Sequence, residues 1–442
     1  MKEGTVHPKS LWSASVTPRR FESLNGDLKV QVLVIGGGMA GVLCAYMLQR
    51  AGVACALVEA DTVCGGVTKN TTAKITSQHG LIYHKLVKRF GPETAALYLR
   101  ANQEALRAYG ELCEGIDCDF ERRNAFVYSL DDPQAVEDEM EALRRLDFPA
   151  EFVGQLPLPF PVAGAVRFPD QAQFNPLKFV HGITEGLEIY EHTMVREVAG
   201  HRAVTDRGTI TAEQIIVATH FPFLNLRGSY FLKLYQHRSY VIALEGAPDV
   251  GGMYVDDALK GMSFRNFEHL LLIGGGDHRT GKSGGNWEEL SRFAARHYPN
   301  AKERYRWSTQ DCMTLDDVPY IGRYSKNTPG LYVAAGFNKW GMTSSMAAAL
   351  VLTDLITGKE NPYAGVFSPS RSMLRPQLAL NAMEAAVDLL TPTAPRCPHM
   401  GCALKWNGAE RSWDCPCHGS RFREGGKLID NPATGGIRPR RP

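Results

Sequence analysis

Residues 29–35, Lys-Val-Gln-Val-Leu-Val-Ile, form a nearly continuous apolar run of the kind that makes a strand buried on both faces. Gly36-Gly-Gly-Met-Ala-Gly41 follows at once, with G-x-G-x-x-G spacing at Gly36, Gly38 and Gly41. A helical stretch over 42–51 and a second strand, Ala54-Cys-Ala-Leu-Val-Glu59, come next. In such a unit the first glycine permits a tight turn and the second leaves room for a pyrophosphate. The third lets helix and strand pack closely. The helix N-terminus offers free amides and a partial positive charge to phosphates. Glu59 closes the second strand 18 residues after Gly41, where a carboxylate accepts from ribose hydroxyls. The glycines alone do not separate FAD from NAD.

At 442 residues the chain is long enough for two or three domains. With 44% hydrophobic and 22% charged residues it has the composition of an ordinary globular protein. Net charge is only +2, and the single basic run, Arg438-Pro-Arg-Arg441, reads as a solvated tail, so nucleic acid is not an expected partner. The longest apolar runs, such as 346–352, are too short for a membrane span, and Met1 to Pro8 carries no apolar leader, so a cytoplasmic protein is expected. Six of the ten cysteines are scattered (Cys44, Cys55, Cys64, Cys113, Cys118, Cys312) and read as buried thiols.

The stretch after Glu59, Asp61-Thr-Val-Cys-Gly-Gly-Val-Thr-Lys-Asn-Thr-Thr-Ala-Lys74, resembles the FAD-wrapping loop of the D-amino acid oxidase, glycine oxidase and sarcosine oxidase superfamily. Gln173-Phe-Asn-Pro-Leu177 resembles its mid-chain helix start, and Ile215-Ile-Val-Ala-Thr-His220 its strand returning to the cofactor. Residues 307–322, from Trp307 to Gly322, match its tryptophan-to-D-x-x-P-x-I-G stretch in length. Leu331-Tyr-Val-Ala-Ala-Gly-Phe-Asn-Lys-Trp-Gly-Met-Thr343 then leads into a helix reaching about 357. The resemblance spans about 28–365 and implies FAD. It places Gly36, Gly38, Gly41, Glu59, Thr71, Thr72, Ala73, Val195, Ala218, Gly336, Lys339, Trp340, Gly341, Met342 and Thr343 at the cofactor. A helix N-terminus after Gly336 would stabilise negative charge on the flavin pyrimidine edge. The implied fold is α/β: a Rossmann-like FAD domain of the glutathione reductase type (28–81, 166–223, 306–365) with an interleaved mixed-sheet substrate domain (82–165, 224–305). Helices are expected over 92–114 and 133–145, and strands over 125–129, 239–244 and 270–273.

The other four cysteines fall between 397 and 417, interleaved with histidines. Cys397 and His399 make C-x-H; Cys415 and His418 make C-x-x-H. Two thiolates for one iron and two imidazoles for the other are what a Rieske [2Fe–2S] centre needs. Zinc, or a plain cysteine scaffold, uses the same residue types. With Gly401, Pro416 and Gly419 at loop-forming places, the segment resembles a Rieske module. That resemblance pairs Cys402 with Cys417 in a disulfide and places the Ser420 hydroxyl near a bridging sulfide. A helical linker (366–396, helical over 377–390) leads into the cluster segment at 397–437. The usual base strands before the first ligand loop are missing. About 45 residues would then depend on metal and on docking to the flavin domain.

Together the two parts resemble Rieske-bearing flavin oxidoreductases acting on a small-molecule substrate. In the amino acid oxidising members, an arginine in a G-L-R-P stretch binds the substrate carboxylate; counting from Trp307, that place here is Asp311. A carboxylate there repels an amino acid's acid group and suits an ammonium, which favours an amine or imine substrate; its alternative readings are a turn former and a local ion-pair partner. Lys74, His79, Lys339 and Arg265 are the other candidate polar groups: a base or a flavin N5 partner for the first two, an anion contact for Arg265. For His79 a structural hydrogen bond is the favoured role. A flavin takes two electrons and a Rieske centre passes one, so a one-electron donor or acceptor is implied. The competing readings are a flavin oxidase with a vestigial cluster segment and an electron-transfer or redox-sensing protein.

Overall fold

The computed structural model describes residue 6 and residues 8–224, 227–392 and 395–438. Most of the N-terminal octapeptide, part of the 391–396 connection and the arginines beyond 438 lie outside the described residues.

Strand Leu28–Ile35 sits in the middle of the first sheet, flanked in parallel by Thr209–Val217 and Cys55–Val58. Leu331–Ala335 and Glu188–Tyr190 extend the parallel set, and Tyr320–Arg323 closes one edge antiparallel. The apolar run behaves as its composition requires: Val32, Leu33 and Val34 are fully buried. Helix Met39–Arg50 covers one face and starts earlier than the apolar pattern indicates, because Gly38 takes an extended cap conformation directly before it. It packs on helix Gly341–Ile356, whose alanines let the two axes approach closely.

The second sheet has nine strands in mixed order. Its path runs Lys302–Thr314, Leu234–Glu245, Leu270–Arg279, Ser263–Phe267, Met253–Asp256, Glu121–Ser129, Gly164–Gln173 and Lys74–Ile75, with Glu151–Val153 on the side. Helices Pro92–Cys113 and Pro133–Arg145 fall where the periodicity places them. Two features differ from expectation. Residues 166–173 and 306–314, assigned by resemblance to the FAD unit, are strand residues of this second sheet. The strands expected over 239–244 and 270–273 run on to Leu234–Glu245 and Leu270–Arg279. Their extensions carry Gln236, Arg238, Asp277 and His278, which break the apolar pattern and are nevertheless buried.

The C-terminal segment follows helix Pro376–Leu390. It does have a foundation of its own, which the sequence reading lacked: a four-stranded antiparallel meander of Lys405–Asn407, Ser412–Asp414, Arg421–Arg423 and Leu428–Asp430. These strands lie between and after the ligand loops; among the described residues before the first loop there is only the bridge Arg396–Ala403. Trp413, Phe422, Leu404 and Ala433 make its small core. Among the described residues no helix is long and apolar enough to cross a membrane.

Candidate functional site

The glycine turn is built by exclusion. A Cβ on Gly41 would fall 1.8 Å from the Gly36 carbonyl oxygen, and one on Gly36, at φ +108°, would fall 2.6 Å from the Ala218 carbonyl oxygen. Gly38 differs: the nearest atom to its added Cβ is Thr68 Oγ1 at 3.7 Å, so the protein itself does not require glycine there. The room is left on the cavity side, where a dinucleotide phosphate would lie. Glu59 accepts from the amides of Gly37 (2.7 Å) and Asp61 (2.9 Å) and lines the same cavity. Gly36, Gly38, Thr71, Thr72, Val195, Ala218, Lys339, Trp340, Gly341 and Met342 line it too. Gly41, Ala73, Gly336 and Thr343 stand behind that wall: Thr343 Oγ1 donates to the Thr76 carbonyl (2.8 Å), and Gly336 holds φ +73° against Thr314.

Two groups hold the 71–74 loop from behind. Trp12, fully buried in the short helix Leu11–Ser15, donates to the Thr71 carbonyl (2.8 Å); no signal in the sequence pointed to it. Arg265 donates through Nη1 to the Thr72 and Ala73 carbonyls (2.7 and 2.9 Å) and sits over the rings of Trp12 and Phe267. It is fully buried and does not line the cavity, so the anion-contact reading of Arg265 is corrected: it clamps the cofactor loop. His79 is similarly engaged, with Nδ1 on the Tyr98 hydroxyl (2.7 Å), Nε2 on the Thr76 carbonyl (2.8 Å) and its ring stacked on Trp340. Burial pushes its pKa down to about 3, leaving a neutral, fully bonded imidazole.

The cavity, about 1190 Å³, also holds an acid–base group. Asp277 ends the glycine-rich part of strand Leu270–Arg279, and its Oδ2 is ion-paired with Lys339. Asp277 Oδ1 is buried and has no hydrogen-bond partner among the described residues. Asp311 lies in the middle of strand Lys302–Thr314, which removes the turn-former reading, and its Oδ2 accepts from Ser239 (3.2 Å). Burial raises the Asp311 pKa to about 6, with Lys339 opposing and Asp277 reinforcing the shift. Burial works against the Lys339 charge, yet Asp277 and Asp311 outweigh it and its pKa is raised. Burial, then Arg265, lowers Lys74 to about 7. Asp277 was missed because a lone acid after Gly274-Gly-Gly reads as the end of a strand.

The two ligand loops repeat one construction. Gly401 N donates to the Cys397 carbonyl and Gly419 N to the Cys415 carbonyl, each at 2.9 Å, with glycine φ of +82° and +81°. Cys397 N returns to the Cys402 carbonyl and Cys415 N to the Ser420 carbonyl, again at 2.9 Å. Both turns need the left-handed conformation that glycine supplies. Cys402 and Cys417 form a disulfide across the loops. Cys415 lies within 4.8 Å of both bridged sulfurs, which are not free to ligate. The remaining donors sort by type: the Cys397 and Cys415 thiols hydrogen-bond each other, and His399 Nδ1 faces His418 Nδ1 at 3.2 Å. The thiol contact with Cys415 pulls Cys397 down to about 7. His418 Nε2 donates to the Phe231 carbonyl (3.0 Å), which fixes the tautomer and turns Nδ1 toward the cluster position. Two thiols together and two imidazoles together fit a [2Fe–2S] centre with mixed ligation.

Cluster loop and cavity share buried side chains. Gln310 lines the cavity and donates to the Gly419 carbonyl (2.9 Å). Gln236 donates to the His418 carbonyl (3.1 Å) and accepts from His220, itself in the cavity wall (3.0 Å). Arg279 reaches the Pro416 carbonyl (3.4 Å). Deeper in the interface, Glu410 is held by Arg238, Arg421, Ser308 and Tyr240.

These two sites define a flavoprotein carrying an iron–sulfur module, and sequence comparison agrees. Residues 31–355 match the FAD dependent oxidoreductase (DAO) family and residues 388–439 the Rieske [2Fe-2S] domain. The chain belongs to the DAO family of FAD dependent oxidoreductases and is an enzyme of that class with a C-terminal Rieske domain, which resolves the choice between iron–sulfur and zinc. The Rieske 2Fe-2S iron-sulfur protein YhfW of Bacillus subtilis is 33% identical, with 96% of each chain covered. Gamma-glutamylputrescine oxidoreductase of Escherichia coli is 23% identical over 80% of this chain and 90% of its own. Among solved structures, L-proline dehydrogenase from P. horikoshii has a TM-score of 0.66 at 19% identity, covering 79% of this chain and 98% of that one. Glycine oxidase from Geobacillus kaustophilus gives 0.65 at 21%, covering 78% and 99%. Both share the fold.

Proposed function

We propose that the protein oxidises a C–N bond of a small amine- or imine-type substrate, with electrons relayed through the Rieske centre to a one-electron partner. When bound, FAD takes up a hydride equivalent from a carbon bearing nitrogen, and the cluster carries single electrons. The observation that carries the relay is Gln310, one side chain that both lines the cavity and hydrogen-bonds the second ligand loop. The observation that favours an amine is local: two carboxyl groups, Asp277 and Asp311, act on the one ammonium of Lys339 at the cavity wall. The names of the related proline dehydrogenase, glycine oxidase and gamma-glutamylputrescine oxidoreductase support C–N chemistry.

On this reading Asp311 and Asp277 hold the substrate ammonium, and Lys74, neutral above about pH 7, accepts a proton from it. The sign follows from the two groups. Asp311 carries its charge only above about pH 6, and Lys74 is free of its proton only above about pH 7. The profile of kcat/KM for an active amine therefore rises through both values. Asp311→Asn is expected to remove the lower limb, and Lys74→Met to remove the upper one with a loss of about 100-fold. A flat profile between pH 5 and 8 (a range about one unit beyond both groups), or neutral amino acids outrunning every amine with Asp311→Arg inactive, contradicts the substrate assignment. Amines that never bleach the flavin, with a cluster that still exchanges electrons, would instead favour an electron-transfer protein.

A further inference from the structure

The exit of the cluster segment, 429–436, reaches back past its own sheet to the glycine turn. Asn431 Nδ2 donates to the carbonyls of Thr219 (2.6 Å) and Phe221 (2.8 Å). Thr219 follows Ala218, the residue whose carbonyl the first glycine of the turn must clear. Arg196, next to Val195, donates to the Thr434 carbonyl. The other end of the exit is tied to the second ligand loop: Ala433 N donates to Ser420 Oγ (3.0 Å), and the Ser420 carbonyl accepts from Cys415 N. Asn431, Ala433, Thr434, Gly435 and Gly436 line the same cavity as Gly36, Gly38 and Glu59.

We propose that residues 429–436 form one wall of the FAD site, so that flavin binding and docking of the cluster segment stabilise each other. A single hydrogen-bonded chain runs from ligand loop to Ser420, to the exit, to the carbonyl beside the glycine turn. Any ordering of the exit by flavin is returned, by linkage, as the same factor in flavin affinity. The flavin domain is then not a complete FAD site without the C-terminal module. This claim is independent of the substrate, which takes no part in its test.

FAD affinity of the deflavinated full-length protein, followed by flavin fluorescence quenching, decides it. Gly435 lines the cavity and an added Cβ there meets nothing within 4 Å, so Gly435→Trp adds bulk at the cavity wall without a clash at Cβ. It is expected to weaken FAD binding at least tenfold while iron content and the Rieske-type EPR signal stay at the wild-type level. Asn431→Ala, which loosens the exit without adding bulk, is expected to speed flavin release several-fold, and FAD is expected to slow proteolysis of the C-terminal segment in the wild type. FAD affinities within twofold of wild type in both variants overturn the proposal. Should Gly435→Trp fail to fold, an unchanged flavin release rate in Asn431→Ala overturns it alone.

Discussion

Cys415→Ser is expected to empty the cluster site and to reduce turnover with a one-electron acceptor by more than the roughly 10–100-fold typical of losing an outer-shell partner. Bleaching of the flavin by substrate should persist when FAD is supplied in excess. Cys415 is fully buried, and its thiol faces Cys397. Its backbone anchors the second loop through Ser420 and Gly419. Serine keeps the size but loses the thiolate that iron prefers. Because metal binding contributes folding free energy, the apo segment should also cleave faster under limited proteolysis. Iron quantification, stopped-flow flavin absorbance and steady-state turnover read the three effects separately. Unchanged turnover without iron would make the cluster a bystander.

Glu410→Ala carries the largest expected stability loss, about 3–5 kcal/mol, because it leaves buried charge uncompensated. Glu410 accepts from Arg238 Nε (3.0 Å), the Tyr240 hydroxyl (3.1 Å), Ser308 Oγ (2.6 Å) and Arg421 Nη2 (2.8 Å). Its side chain is 8% exposed, and those of Arg238 and Arg421 are 2% and 6% exposed. Arg421 keeps Asp414 and Asp430 after the substitution, whereas Arg238 keeps Ser308 alone among the described residues, so the cost falls on the second-sheet side of the interface. Burial would raise the Glu410 pKa, but Arg238 and Arg421 overcome it and hold it at about 2. A depressed folded value means the contribution is fully present above the unfolded value near about 4.3 and is lost as pH falls toward 2. Chemical denaturation at pH 7 and pH 3 should therefore show the variant's deficit shrinking in acid.

The elements legible in the sequence were those with a strong local pattern. Leu28–Ile35 with its glycine turn, helices Pro92–Cys113 and Pro133–Arg145, and the paired C-x-H and C-x-x-H loops each announce themselves over a few residues. What escaped were features made by distant partners. Gln236, Arg238 and Gln310 look like ordinary polar strand residues, and their burial follows from a segment some hundred or more positions later that supplies Glu410, His418 and Gly419 as partners. Asp277 and Asp311 meet Lys339 only because two strands and a helix-capping turn converge on one cavity. Arg265 pointed to a substrate contact by residue type alone, and its role as a clamp on Thr72 and Ala73 depends on a contact across 192 or more positions. The meander beneath the cluster loops was hidden because three-residue strands such as Ser412–Asp414 carry too little periodicity to register.

On the proposed function, flavin and cluster are two stations of one electron path. Anaerobic holoprotein mixed with one equivalent of an active amine and freeze-quenched for low-temperature EPR tests it directly. Flavin bleaching is expected to be followed within the catalytic turnover time by a Rieske-type signal. A flavin that bleaches while the cluster stays oxidised, reducible only by added dithionite, would contradict it.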